Sequence, residues 1–359
     1  MALKTGKCEP IDIATDKRIV KQDSESRFQE SITYSRRSFV SGLGLFCCAL
    51  PLTAVAQQVR PKRVRRIGFL IGQAPTLIKA FEDELRKLGY VDGQNLIIEK
   101  RISRSNSTDL RVQAAELAGM NLELILAAAL PQALEVRKNN PAMPMVIATC
   151  PGMISNGFAK TLKRPGGLYT GMDELPPGVT AKRLQLLKTA APSVSRVALL
   201  STTPGSGGHE IQLANAMEAA KSLGVTVKPY RASSLTELET ALAAIVSDGM
   251  DGLANFQGGL SLSNRELIVD FAAKNRLPAI YQAKFFVEAG GLMAWTPNQE
   301  DQYRQAARYV DRILKGAKPG DLPIHYPSRY YLFINKSAAQ RISLVLPPKL
   351  VAQADQVLL

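Results

Sequence analysis

The chain has 359 residues, enough for one large domain or two medium ones with a sizeable core, and carries 45 Lys and Arg against 31 Asp and Glu, a formal net charge of +14. Such a charge raises the question of nucleic-acid binding, but no zinc-finger spacing or aromatic-rich single-strand platform accompanies it, so a nucleic-acid partner is not expected. The two histidines, His209 and His325, stand far apart in sequence and argue against a His-based metal site.

Residues 1–34 are polar, mixed in charge and without apolar periodicity, and read as a disordered extension. Residues 35–56 read as an export signal. Arg36 and Arg37 form a charged pair, Phe39 to Ala56 is an apolar run broken by Pro51, and Ala54-Val55-Ala56 is a small-residue cleavage site. Ser35 and Phe39 flanking the paired arginines resemble the twin-arginine type. A membrane anchor would need about 20 unbroken apolar residues, and Gly42, Gly44 and Pro51 dilute this run. Cleavage is expected near Ala56, leaving a periplasmic protein that begins at Gln57. Residues 1–56 hold eight Lys/Arg and six Asp/Glu, so the processed chain has 45 − 8 = 37 basic and 31 − 6 = 25 acidic residues, a charge of +12. Cys8, Cys47 and Cys48 leave with the signal, Cys150 alone remains, and no internal disulfide is expected. Arg60, Lys62, Arg63, Arg65 and Arg66 then form a short basic arm.

A strand is predicted over Val64 to Ile71, followed by a helix over Thr76 to Gly89 with Leu77, Phe81, Leu85 and Leu88 on one face and Gly89 as its left-handed cap. Asn95 to Arg101 is the next strand, Ser107 to Gly119 a helix, and Glu123 to Ala129 a strand. A helix opened by Pro131 and the buried strand Met145 to Thr149 follow. Near-continuous apolar strands alternating with helices predict a parallel sheet covered on both faces.

Pro176, Pro177 and Gly178 interrupt this rhythm, and it restarts after them. Arg196 to Ser201 is a strand and Ile211 to Gly224 a helix ending in Leu223-Gly224, as the earlier one ended in Leu88-Gly89. Val225 to Arg231, Gly252 to Phe256 and Pro278 to Tyr281 are strands, with helices over Ser234 to Ser247 and Asn264 to Arg276. A strand over Leu292 to Trp295, a long helix from Asn298 to Lys315, a strand over Arg329 to Asn335 and a short helix over Lys336 to Arg341 close the pattern before an amphipathic tail. The repeated order predicts two similar α/β lobes.

The motifs of common catalysts are missing. There is no Gly-x-x-x-x-Gly-Lys-Ser/Thr loop and no Gly-x-Ser-x-Gly elbow, and Gly72-Gln73-Ala74-Pro75 after the first strand lacks a dinucleotide-binding glycine triplet. Ser206-Gly207-Gly208-His209 reads as an exposed loop, and the adjacent acids Asp173-Glu174 read as surface at a domain break. A catalytic set is not assembled, so an enzyme is not expected and no catalytic residue, metal or cofactor is assigned.

A binding protein needs less. In open parallel sheets ligands sit beyond the carboxyl ends of the strands, where helix N-termini offer free N–H groups. At those ends the chain carries Gln73 and Ala74, then Leu130, Pro131 and Gln132, then Thr149 and Cys150. In the second half it carries Ser201, Thr202 and Thr203, then Asn255, Phe256 and Gln257, then Tyr281 and Trp295. These are the candidate ligand-binding residues of a cleft between the lobes, with Phe256, Tyr281 and Trp295 as its apolar walls.

Arg164-Pro165-Gly166-Gly167 with Thr170-Gly171, Lys182-Arg183-Leu184 through Leu187, Leu277-Pro278-Ala279-Ile280-Tyr281 and Ala289-Gly290-Gly291-Leu292-Met293 form an ordered set. Tyr303 to Lys318, Asp321-Leu322-Pro323, Phe333-Ile334-Asn335, Leu346-Pro347-Pro348 and Ala354-Asp355 continue it. Together they resemble the ABC-transporter substrate-binding family related to tryptophan- and tyrosine-binding proteins, over nearly the whole processed chain. The resemblance implies a type I periplasmic binding protein fold, with two Rossmann-like lobes joined by three crossovers. It also implies a small organic solute as ligand and a membrane permease with its ATPase as partners. The crossovers are expected near Gly171 to Gly178, Ala283 to Gly290 and Pro319 to Pro327. Residues 57–173 plus 288–320 would then form the N-terminal lobe and 174–287 plus 321–359 the C-terminal lobe of a monomer. The family pattern has Asp-Pro after the strand where this chain has Asn255-Phe256-Gln257, Ser-Tyr-Gly at Ala294-Trp295-Thr296 and Asp-Pro-Val near Cys150-Pro151-Gly152, so the ligand is not carried over. Two other functions are open to the same sequence. One is a ligand sensor of the same fold that feeds a signalling receptor; the other is an exported hydrolase using Ser201 or Ser206 with His209.

Overall fold

A computed structural model describes residues 64–359 except 73, 104–106, 204 and 257. The extension over 1–34, the export signal over 35–56, and Gln73 and Gln257 therefore lie outside the described residues. In chain order the first lobe contains β1 (Arg65–Ile71), α1 (Pro75–Lys87), β2 (Leu96–Ile102), α2 (Ser107–Gly119), β3 (Leu124–Ala129), α3 (Leu130–Asn139), β4 (Met145–Cys150) and β5 (Tyr169–Asp173). The second contains α4 (Val179–Ala190), β6 (Arg196–Ser201), α5 (Gly207–Leu223), β7 (Thr226–Arg231), α6 (Leu235–Ser247) and β8 (Gly252–Phe256). It continues with α7 (Gly259–Ser263), α8 (Arg265–Lys274), β9 (Ala279–Tyr281), α9 (Lys284–Glu288) and β10 (Met293–Pro297). Then come α10 (Gln299–Leu314), a 3-10 turn (Pro319–Asp321), β11 (Tyr330–Asn335), α11 (Lys336–Arg341), α12 (Pro348–Ala352) and β12 (Gln356–Leu358).

The strands form two sheets, ordered β2-β1-β3-β4-β5 and β12-β11-β10-β9-β8-β6-β7. Every pairing is parallel except β10 with β11. Alternate residues of each central strand serve opposite faces, and this sorts the core. In β1, Ile67, Phe69 and Ile71 pack with Phe81 and Leu85 of α1 and Tyr303, Ala306 and Val310 of α10. Leu70 packs on the other face with α2 and α3. In the second sheet Val197, Leu199 and Phe256 meet α4 and α5, whereas Ala198, Leu200 and Leu253 meet α6 and α8. Fully burying aliphatic and aromatic side chains at roughly 1.5–3 kcal/mol each makes these layers the main source of stability.

Local signals agree with this packing. Ser206, Ser234, Asn298 and Asn335 cap α5, α6, α10 and α11 by accepting a backbone N–H. Gly224 closes α5 in the left-handed region at φ 63°.

The chain crosses between the sheets three times: after Asp173, after Pro297 and between His325 and Tyr330. The first lies where the sequence suggested; the third overlaps the expected Pro319 to Pro327 but comes later than the expected lobe boundary at 320, because Leu322 and Ile324 pack in the core of the first lobe and His325 bridges to Met172. The second does not fall at Ala283 to Gly290. Gly290, at φ +100°, and Gly291, whose N–H reaches Phe286 O, only turn α9 into β10. Since β10 pairs with both β9 and β11, residues up to Pro297 stay with the second sheet. The chain then returns as α10, which packs on α1. The third crossing is tied to the first lobe by Thr170 Oγ1 donating to Leu322 O at 2.9 Å.

Candidate functional site

The carboxyl ends of β4 and β6 face each other. After β4 the loop Pro151 to Asn156 is held by Asp173, whose carboxylate accepts from the N–H groups of Gly152 (3.0 Å), Met153 (2.8 Å) and Leu175 (2.9 Å). Burial raises the Asp173 carboxyl above its ordinary value, and those three donors pull the other way. Asn156 is aimed by its Nδ2, which donates to Pro151 O at 2.9 Å and Gly152 O at 2.8 Å. Its Oδ1 is thereby free to accept the N–H of Gly207, at the start of α5, at 3.0 Å. A Cβ added to Gly207 would collide with Ser155 O, and one on Gly208 with Pro151 O. The lobes thus touch through bare backbone, and only glycine permits that approach.

Beside this contact the second lobe buries polar groups with no hydrogen-bond partner. His209, on the first turn of α5, is 1% exposed, and neither ring nitrogen is hydrogen-bonded. Its ring lies 6.1 Å from that of Phe256. Burial pushes the imidazole below its ordinary value, so it stays neutral near pH 7. Asn255, at the end of β8, is 1% exposed with both amide atoms unpartnered. In the first lobe Gln132 Oε1 is buried and unpartnered. Buried polar atoms normally find partners, so such a set marks a place where another molecule supplies them.

The floor is built where the crossings meet. Glu174 follows β5, Trp295 sits in β10 just before the second crossing, and Tyr330 opens β11 after the third. Tyr330 donates its hydroxyl to Glu174 O at 3.0 Å, and its ring stacks on Trp295 at 4.6 Å. Arg183 on α4 donates Nε to Trp295 O at 3.1 Å. Gln302 on α10 places its amide beside the Glu174 carboxyl without a well-formed hydrogen bond. Burial pushes Glu174 up to about 7, against the pull of Gln302 and Arg183. Burial also lowers Arg183 to about 10, which leaves it charged at neutral pH.

The sequence-predicted site residues divide. Asn255 lies near the end of β8, Gln132 in the first turn of α3, Thr202 just after β6 and Trp295 within β10, with Thr202 Oγ1 accepting the N–H of Ser261 at 3.3 Å. Thr203 is half-buried in the loop before α5, and Ala74 and Pro131 start α1 and α3. Ser201 is fully buried, and its hydroxyl accepts from Thr203 N at 3.4 Å. Thr149 donates to Ala128 O at 2.9 Å. Leu130 and Cys150 are core residues of the first lobe, and burial pushes the Cys150 thiol well up. Phe256 packs within the second lobe against α5. Tyr281 ends β9, fully buried, with its ring stacked on Phe286 at 4.9 Å and its hydroxyl without a hydrogen-bond partner.

Three residues read as unremarkable are central. Asp173 and Glu174 are a loop clamp and a floor carboxyl rather than surface acids, and His209 is buried rather than exposed. Both imidazole nitrogens lack a hydrogen-bond partner, and Nε2 lies 3.9 Å from Glu210 Oε1. Arg183, Thr180 and Gln302 escaped notice. A signal for the first two existed: they stand one turn apart on α4, beside the leucines Leu184 and Leu187 that face the core. A surface hollow of about 800 Å³ lined by Ser195, Arg196, Gly224 and Thr226 lies at the amino ends of β6 and β7, away from these groups. Among the described residues no His/Cys/Asp/Glu group is placed to hold a metal, and no helix is long and apolar enough to cross a membrane.

Residues 74–358 match the family described as ABC transporter substrate binding protein. A tyrosine-binding protein of Clostridioides difficile (strain R20291) is 23% identical over 267 residues, covering 74% of this chain and 75% of the relative. The crystal structure of an ABC domain in complex with L-Trp from Streptococcus pneumonia superposes with TM-score 0.75 at 25% identity, over 82% of this chain and 99% of that one. The ligand-free, open structure of a substrate-binding protein with adhesive properties from Clostridium difficile gives 0.60 at 22%, over 82% and 99%. With the family match spanning most of its length and two crossed-over parallel lobes beneath it, the chain belongs to the ABC transporter substrate-binding protein family.

Proposed function

We propose that this protein is exported, captures a small organic solute between its lobes and delivers it to an ABC-type permease. The observation that carries this reading is the juxtaposition of the carboxyl ends of β4 and β6, joined by Gly207 and Asn156 and bordered by the unpartnered Asn255 and His209. In open α/β sheets those ends are where ligands sit. Apposed lobes supply water exclusion, and buried polar groups supply orientation. Hinge closure about the three crossings would bring the outer faces of both lobes into the arrangement a permease reads. Relatives that bind tyrosine and tryptophan support a solute of that size. The residues that would contact the solute are Gln132, Thr202, Asn255, His209 and the floor around Trp295. The arginine pair Arg36-Arg37 and the Ala54-Val55-Ala56 site support export.

A thermal-shift panel of amino acids, aromatic acids, short peptides and sugars tests capture. A ligand at about 100 times its Kd stabilises by about 2.7 kcal/mol, which raises the melting temperature by several degrees. No shift with any of them contradicts the proposal. N-terminal sequencing of the secreted form tests export, with a start at Gln57 expected.

A further inference from the structure

Arg183 is a buried cation without an ion pair. It is 5% exposed and Nη1 has no hydrogen-bond partner, while Nε is taken by Trp295 O. Among the described residues no carboxylate oxygen comes within 4.0 Å of it. Glu174 faces it from beyond ion-pair distance, and burial, which pushes its carboxyl up to about 7, leaves it mostly neutral at pH 6. Asp173 next door has its carboxylate committed to three backbone N–H groups. A guanidinium taken out of water without a paired anion is unfavourable, and a ligand carboxylate would relieve that cost.

The neighbours complete a receptor. Thr180, one turn before Arg183 on the same face of α4, is 1% exposed with an unpartnered hydroxyl. Gln302, 2% exposed, brings from α10 on the other lobe an amide that lies beside the Glu174 carboxyl and makes no well-formed hydrogen bond. Beside them Trp295, half-buried and stacked on Tyr330, offers an aromatic surface. A guanidinium, a hydroxyl and an amide beside an indole match one chemistry, a carboxylate on a flat or aromatic body.

We infer that the floor of the cleft is a carboxylate site in which Arg183 is the specificity-determining residue, so that the solute is an organic acid. This rests on the capture reading above and narrows it. The guanidinium would make a charge-assisted contact through Nη1, Thr180 and Gln302 would complete the oxygen's hydrogen bonds, and Trp295 would pack on the body of the solute. Because Gln302 and Arg183 come from different lobes, an anion held by both also favours the closed arrangement.

Titration calorimetry at pH 6 on the intact processed chain tests this with matched pairs, benzoate against benzamide and L-tyrosine against L-tyrosinamide. The expected result is that at least one acid binds and its amide binds about 100-fold more weakly or not at all. Arg183→Gln is expected to erase that preference while circular dichroism stays native. Equal binding of acid and amide by the wild type overturns the carboxylate site, and this comparison does not depend on any variant folding. A preference that survives in Arg183→Gln overturns the role of Arg183. If the pairs fail and a neutral sugar binds, the acid class is wrong and capture stands; if nothing binds, both readings fall.

Discussion

The backbone N–H of Gly207 donates to Asn156 Oδ1 at 3.0 Å, tying the first turn of a second-lobe helix to the loop after a first-lobe strand. The contact is possible because Gly207 and Gly208 have no side chain to strike Ser155 O and Pro151 O. Neither glycine has a positive φ, so alanine suits the backbone at both places and only the approach of the lobes is obstructed. Gly207→Ala and Gly208→Ala should therefore fold with melting temperatures within a few degrees of wild type. They should show a larger radius of gyration by small-angle scattering and bind solute at least about tenfold more weakly. Unchanged scattering and affinity would remove the contact from the closing mechanism.

Asn255 makes no hydrogen bond through either amide atom although it is 1% exposed. A residue that loses no partner on truncation costs little. Asn255→Ala should leave the stability of the empty protein within about 1 kcal/mol of wild type while weakening solute binding, by urea melts and calorimetry respectively. A large loss of stability would mean that Asn255 holds the fold rather than the solute.

Glu174 couples the floor to pH. Burial raises its folded pKa from 4.5 to about 7, so the folded state holds that proton more tightly than the unfolded chain does. The stability it contributes is full below about pH 4.5 and is lost as pH rises through about 7. Its surroundings are Asp173, Arg183, Gln302, Tyr303 and Tyr330. Asp173, also raised, acts in the same sense; His209, lowered, acts in the opposite one. Comparing wild type with Glu174→Gln isolates the one group. The variant should match wild type at pH 4.5 and exceed it at pH 8 by at most about 3 kcal/mol. Parallel pH profiles would contradict the assignment.

Gly171 sits in β5 at φ +150°, and a Cβ there would run into the Ile147 carbonyl of β4. Strain and collision act together, so Gly171→Ala should destabilise by about 3 kcal/mol in urea melts and shift β5 away from the first crossing. A neutral substitution would show that the β4–β5 edge relaxes freely.

The elements were largely legible because apolar runs and helical stripes carry period and caps together. Ser234, Asn298 and Gly224 sit at the boundaries their chemistry suggested. β5 and α4 were not legible. β5 reads Tyr-Thr-Gly-Met-Asp, with little apolar pattern, and is buried by its partners rather than by its own side chains. α4 lies just after the prolines that suggested a break. The site was half legible for the same reason. A strand end such as Asn255 follows from the sheet, whereas Arg183 and Gln302 both come near Glu174 only because α10 returns to the first lobe while α4 stays with the second. An aromatic at a strand end, such as Tyr281, looks the same in sequence whether it faces a cleft or a stack with Phe286.

Native mass spectrometry of the protein incubated with a mixture of small metabolites, for the wild type and for Gly207→Ala/Gly208→Ala, bears most directly on solute capture between facing sheet ends. One small-molecule adduct on the wild type, lost or sharply reduced in the double variant, is the predicted result. A bare polypeptide mass for the wild type, or an adduct equally retained when the lobes cannot close, would contradict it.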